Sequence, residues 1–465
     1  MSKYYILFIA VILGSNLFSQ TSVSGGIYQN TTWSLANSPY IVNGSIVVFP
    51  GRTLNIEPGV EIRINNQLDS TIYIETRGTL NCLGTDLSPI KISTLFDTTK
   101  VGWRGFVCTS SQGGVLNADR FQISNASMPF AYETPLANFQ YTNCKFSHCF
   151  QAVTVGQAVN LTNCQFIDNE VAVYGWSYFT IDNCLFKDNT TSIYAYCTAL
   201  TMTNSSFIDN QIGLTFASNV SETISISDCQ FLNNGLAINY PNKGSIENCL
   251  FSENSTGIQM AYKCEILNNE FIYNDLAIEA SVDANIHDNQ ISNNLGGLLI
   301  SNVTAVQDSP QIFNNEICNN SNYCVNNNTN MNYSLLENCF CGLDSTQIEA
   351  LIIDGYDDII KGLINYQVFD STCTTSLKVV LKFNSTVAAL NESNIEISFT
   401  NPVENTLVCF SSNPVFVIEI TDLSGKIYYF KSETEYQFDL GTLKSGFYFI
   451  KSLNNQTINK SFVKL

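Results

Sequence analysis

Charge is what this sequence has least of. Asp, Glu, Lys and Arg make up 13% of its 465 residues, about half the usual share for a soluble globular protein. Lys and Arg number only 21 against 40 Asp and Glu, a formal net charge of −19. That excludes a general nucleic-acid binder, whose affinity comes largely from neutralising phosphates. Ala, Leu and Lys do not dominate, while Asn, Thr, Ser and Gly compete with the helix, so a long helical protein is excluded as well. A hydrophobic fraction of 45% is too high for a disordered acidic chain. His and Trp are scarce, at 2 and 3 residues. The 16 Cys include no Cys-x-x-Cys pair, and Cys339-x-Cys341 has no His nearby, so no zinc site is expected.

Long apolar runs are missing too, with one exception at the amino end. Tyr4 to Leu13 is almost unbroken apolar, preceded by Lys3 and followed by Gly14 and Ser15. The run is too short to span a bilayer and reads as a secretory signal peptide over 1–19, cleaved near Ser19 or Gln20. No Cys stands at that junction, so no lipid anchor is expected there.

What the chain has in excess is Asn, with 55 residues, and Tyr plus Phe, with 22 and 30. Much of the Asn falls in a repeat. TNCKFSHC at 142–149, TNCQFIDN at 162–169, DNCLFKDN at 182–189 and TNSSFIDN at 203–210 share one pattern, continued by SDCQFLNN, ENCLFSEN, LNNEFIYN and HDNQISNN. Their apolar anchors are Phe146, Phe166, Phe186, Phe207, Phe231, Phe251, Phe271 and Ile291, spaced 20, 20, 21, 24, 20, 20 and 20 residues apart, with Ile317 after a step of 26. Apolar columns also lie five residues before the anchor (Leu161, Ile181, Met202 and onward) and seven after it (Val173, Ile193, Leu214 and onward). The position before the latter is always small: Ala172, Ser192, Gly213, Ala237, Gly257, Ala277, Gly297. Three short strands per repeat cannot bury a core alone, but stacked units can. The period predicts an all-β parallel β-helix with coils about 4.8 Å apart.

Asn stands three residues before the anchor at 143, 163, 183, 204, 248, 268 and 314, with Asp at 228 and 288. It also stands three after, at 169, 189, 210, 234, 254, 274, 294 and 320. Asn tolerates left-handed turns and can hydrogen-bond to its own copies, so both columns are expected to be structural ladders. Cys144, Cys164, Cys184, Cys229 and Cys249 form a column two before the anchor and are read as packing residues. Cys318 with Cys324, or Cys144 with Cys149, are pairings the sequence leaves open.

The pattern resembles the right-handed parallel β-helix family of secreted bacterial proteins, some of them carbohydrate-active, over about residues 28–366. GSIVV, GRTLNIEPGVEIRI and GTLNCLG would form the first coils. At 345–366 the period breaks. Ser345 is expected to cap a short amphipathic helix with Ile348, Leu351 and Ile352 on one side, closing the open edge of the solenoid. The expected body is therefore residues 20–366.

Residues 367–391 read as a linker and 392–465 as a small β-sandwich, with strands at VFVIEI, KIYYF and GFYFIKS. The last segment resembles the type A sorting domain of the type IX secretion system of Bacteroidetes. The matching pieces are Asn401-Pro402-Val403, IEITDLSGKI at 418–427, LGTLKSGFYFI at 440–450 and Lys464-Leu465. Asn401, Pro402, Asp422, Gly425, Gly446 and Tyr448 carry the motif, while Phe399-Thr400 replaces a common Tyr-Pro pair. The resemblance implies export by the type IX machinery, then a surface-anchored or released chain.

In a solenoid with a filled core, a site must lie on an outer face. Tyr174, Trp176, Tyr194 and Tyr196 share a parity on two adjacent coils and form a candidate outward platform for sugar rings; packing under a covering segment is the competing reading. Asp168, Asp188 and Asp209 form a column two after the anchor, with Glu253 further along. Ca²⁺ is the cofactor such oxygens would suit; a solvated turn edge is the blander reading. Enzyme templates fit poorly. Lys145, Lys187, Lys243 and Lys263 do not form one column, Asp357-Asp358 falls in the cap where solvation of a helix accounts for it, and His148 and His287 are about seven repeats apart. The expected function is non-catalytic binding of an extracellular glycan or another surface partner. The alternative is a divergent carbohydrate-active enzyme, a polysaccharide lyase or glycoside hydrolase.

Overall fold

The computed structural model describes residues 20–367 with short gaps, then Phe369, Cys373 and, beyond residue 405, the strands of a carboxyl-terminal unit. The expected signal peptide 1–19, most of the linker, and Asn401, Pro402 and Gly425 lie outside the described residues.

One coil shows the construction. Tyr178–Asp182 forms a leading strand, Leu185–Lys187 an anchor strand and Thr191–Ala195 a trailing strand. Each pairs parallel with its counterpart one coil on. Ile181 faces Met202, Phe186 faces Phe207 and Ile193 faces Leu214. Repeated along the chain, this pairing builds three parallel sheets around one core. The anchor sheet continues toward the amino end through Phe121–Ser124, Ile90–Thr94 and Glu61–Ile64 to Tyr40–Val48. The segments expected as first coils do form coils, but Thr21–Ile27 and Thr31–Trp33 precede them, stacking on Tyr40–Val48 and Thr53–Ile56 as the actual first turn.

Side-chain columns follow from this register. Phe146, Phe166, Phe186, Phe207, Phe231, Phe251 and Phe271 stack with ring centroids 4.5–5.0 Å apart and planes within 12°. The coil spacing sets that distance, and the phenyl column fills the core from one coil to the next. The small column also has a cause. A Cβ on Gly213 would stand 2.5 Å from the Ala237 carbonyl oxygen of the next coil, and on Gly257 2.5 Å from that of Ala277.

The two Asn columns do different work. Those three before the anchor occupy left-handed turns, with φ of 54° at Asn163, 50° at Asn183 and 54° at Asn248. There the Asn183 side-chain N–H donates to Asn163 Oδ1 at 2.7 Å. Those three after the anchor are buried and form a continuous ladder. Asn254 Oδ1 accepts from the backbone and side-chain N–H of Asn234, both at 2.9 Å. The Asn254 side chain donates in turn to the Phe231 carbonyl and to Asn274 Oδ1, both at 2.9 Å. A second ladder runs from Asn269 through Asn289 and Asn315 to Asn338. It continues the position that Cys144, Cys164, Cys184, Cys229 and Cys249 hold in earlier coils. Those thiols are free and buried, as expected for packing residues.

Neither pairing left open by the sequence is present: Cys144, Cys149 and Cys324 are free. Among the described residues the disulfides are Cys318–Cys341 and Cys339–Cys373. Cys324 is fully buried on a trailing strand, whereas Cys318 ends an anchor strand beside the bridge of Glu316 with Cys339, which brings Cys341 within reach.

The cap also differs in detail. The helix is only Ser345–Glu349, and its N-cap is Asp344, which forms a capping box with Gln347. Ile348 is buried under it, but Ile352 belongs to a short strand that pairs with Val325 as a last trailing rung. Asp357 and Asp358 are not in a helix. They belong to a turn organised by buried Asp354, whose carboxylate accepts from the Tyr356 and Ile364 backbone N–H groups.

The carboxyl-terminal unit has two antiparallel sheets. Thr406–Val408 pairs with Gln437–Asp439, and the larger sheet orders Ile427–Lys431, Val417–Asp422, Gly446–Ser452 and Lys460–Lys464. Gly446 begins a strand, Asp422 faces Tyr448 across a strand pair, and buried Tyr448 donates its hydroxyl to the Lys444 carbonyl at 2.9 Å.

Two outcomes test this account. Asn254→Ala strands the Asn234 amide and the Phe231 carbonyl, so chemical denaturation of the mature chain should show a loss of about 2–4 kcal/mol. Asn183→Gly, at a left-handed turn, should cost well under half of that. Cys373→Ser opens a loop of 34-residue separation and should destabilise the last coils by up to about 4 kcal/mol. Limited proteolysis should then cut near the cap and spare coils 160–260, because each coil contacts only its neighbours.

Candidate functional site

The trailing sheet carries the candidate platform. Val173 and Ile193 point inward and are buried, so Tyr174 and Tyr194 emerge on the outer side and face each other across the pairing. Their ring centroids are 5.5 Å apart. Trp176 packs edge-on to Tyr174 at 6.0 Å, and Tyr196 lies 5.4 Å from Tyr194 and 6.3 Å from Tyr174. The structure thus brings all four residues together. Tyr174 and Tyr194 are half-buried, while Trp176 and Tyr196 are 40% and 51% exposed. A hydrogen bond with Tyr196, burial and the neighbouring phenols hold the Tyr194 hydroxyl above its ordinary pKa. Tyr178, 55% exposed, follows in sequence but opens a leading strand on a different sheet.

The same column is not open throughout. Thr154 and Thr215 flank the aromatic pair and are buried, and Thr215 accepts from the Asn239 side chain at 3.0 Å. Glu279 is buried as well and accepts from the Ser301 hydroxyl. The aromatic part is therefore a local patch on two coils and not a stripe along the solenoid.

Asp168, Asp188 and Asp209 occupy left-handed turns, with φ of 53°, 57° and 57°. Other groups already face their carboxylates. Lys187 Nζ stands 3.9 Å from both Asp188 and Asp209, and the Asn233 side chain donates to Asp209 at 2.7 Å. Asp168 meets His148 Nδ1 at 2.6 Å and Lys100 Nζ at 3.2 Å. Burial works against its ionised form, but His148 and Lys100 hold its carboxyl below the usual range. Among the described residues, the only three metal-ligating side chains with donor atoms within 4.8 Å of one another are Cys318, Cys341 and Cys373, whose sulfurs are in disulfides. The two His remain apart: His287 binds Asp288 and Glu265 and stacks on Phe313.

Lys100, Glu170 and Glu270 were not among the candidates read from the sequence. Lys100, from a loop outside the repeat, also reaches Glu170 at 3.8 Å. On the anchor sheet, burial pushes the Glu270 carboxyl up to about 7. Burial, then the charge of Asp209, raises Glu253. Burial pushes the Cys149 and Cys264 thiols up to about 12, away from the thiolate form a nucleophile needs.

Comparison with known families agrees with this architecture at both ends. Residues 104–240 match the right handed beta helix region, and residues 391–464 match the secretion system C-terminal sorting domain. No curated protein matches the chain. The sorting domain implies the type IX secretion machinery as a partner and secretion or the outer surface as a destination. Among the described residues no helix is long and apolar enough to cross a membrane. A β-solenoid core matching the right-handed family, followed by that sorting domain, makes this chain a type IX-sorted right-handed parallel β-helix protein.

Proposed function

We propose that the mature chain is a non-catalytic protein of the cell surface or medium that binds an extracellular glycan on Tyr174, Trp176, Tyr194 and Tyr196. Export would begin with the signal peptide at 1–19 and finish through the sorting domain. The observation that carries the reading is the local concentration of four rings on two coils, where neighbouring coils place Thr154, Thr215, Asn239 and Gln259 at the position of Tyr174 and Tyr194. Exposed rings on a rigid sheet offer apolar area to the faces of sugars at little cost in side-chain freedom. The β-sheet beneath fixes their spacing without help from a ligand.

One observation favours the enzyme reading. A general acid needs a carboxyl that keeps its proton toward neutrality, and burial pushes the Glu270 carboxyl up to about 7, into that range.

Glycan-array screening of the mature chain followed by calorimetry should find a ligand, and Tyr174→Ala combined with Trp176→Ala should weaken it at least tenfold. Unchanged affinity would remove the platform from the site. The same polysaccharides incubated with the chain should release no reducing ends; release abolished by Glu270→Gln would establish the enzyme reading instead. Glu270 also yields a stability prediction. Its folded-state pKa, about 7, lies above the unfolded value of 4.5, so the folded chain holds the proton longer. Stability should therefore fall as pH rises from about 4.5 through about 7, and Glu270→Gln should flatten that slope in thermal melts.

A further inference from the structure

The coil bearing Tyr174 departs from the repeat at a second place. Its turn residue Asp168 is gripped from two sides, by His148 Nδ1 of the preceding coil at 2.6 Å and by Lys100 Nζ at 3.2 Å. Lys100 comes from outside the repeat and reaches Glu170 Oε2 at 3.8 Å, where the Thr190 hydroxyl of the next coil also donates at 3.2 Å. The four ionisable side chains are between a quarter and a half exposed. Glu170 directly precedes the strand Val171–Gly175, so it lies about 13 Å along that strand from Tyr174. A chain molecule laid along the strand from the rings would meet this cluster next.

We infer that Lys100, His148, Asp168 and Glu170 form the polar end of the glycan site, and that its ligand is an uncharged, hydroxyl-rich polysaccharide rather than a polyanion. The inference rests on the glycan reading of the aromatic platform. The cluster supplies both donors and acceptors, as hydroxyls require. Two carboxylates face one lysine and one histidine there, and Asp188 and Asp209 on the adjoining turns add further negative charge. A uronate or sulfated chain would meet like charge there. Lys187 already faces those two aspartates at 3.9 Å.

The test uses calorimetry of the mature chain with soluble xylan, mixed-linkage glucan, mannan and polygalacturonate. Glu170→Gln and Lys100→Met should each weaken binding of the best neutral polymer at least fivefold while the melting temperature of Glu170→Gln stays unchanged, and polygalacturonate should not bind. The inference is overturned if both variants bind the neutral polymer like the wild type while Tyr174→Ala with Trp176→Ala abolishes binding; the platform reading then survives alone. Preference for polygalacturonate would overturn the ligand class. Failure of the wild type to bind any of the four would count against the platform reading itself.

Discussion

A buried amide must be paired on every side, and the Asn column from 169 to 320 meets that demand only by repeating itself. From Asn189 onward each Oδ1 takes two N–H groups from the coil before, and each side chain donates back to a phenylalanine or isoleucine carbonyl. Each inner member depends on the next for its acceptor. The ladder therefore fixes the turn, the turn fixes the register, and the register places each phenylalanine over the one before it. A slip of one residue would bury the wrong faces and leave every amide in the column unpaired.

The same constraint explains the low charge. Any side chain in a column meets its counterpart about 4.8 Å away in the next coil, so a repeated charge faces itself. Where the aspartate column does repeat, a lysine or histidine stands between or beside its members. Chemistry that needs dissimilar groups close together must come from outside the repeat or from a break in it. The Lys100 loop and the aromatic pair are both such breaks, and they fall on the same coil.

Legibility followed that division. The anchors, the leading and trailing columns, the small column and the two Asn columns could be read because they recur, and recurrence reveals contacts between residues about 20 apart. The aromatic group was readable by parity alone. Lys100 with Asp168 could not be read, because nothing local couples residues so distant in the chain. The second Asn ladder was hidden by a change of residue at a constant position, from Cys249 to Asn269, although both fill the same turn. The disulfides were missed for a related reason. Cys318 and Cys324 are close in sequence but sit on different sheets, whereas Cys341 returns to the anchor side one coil later.

The two ends of the solenoid show what the ladder itself cannot do. Toward the amino end, outward amides at Asn55, Asn81 and Asn117 stack across three strands in place of the buried column. Toward the carboxyl end the two ladders run as far as Asn320 and Asn338. There the fold changes its means of closure. Two disulfides bind the last anchor coil to the segment that follows it, Asp344 caps a single helical turn, and buried Asp354 ties the final loop to Ile364. Covalent closure suits a chain routed out of the reducing cytoplasm. It also sits between the repetitive body and the segment leading to the sorting domain. The end of the solenoid is thus closed by bonds among Cys318, Cys339, Cys341 and Cys373, within the body and the segment just beyond it.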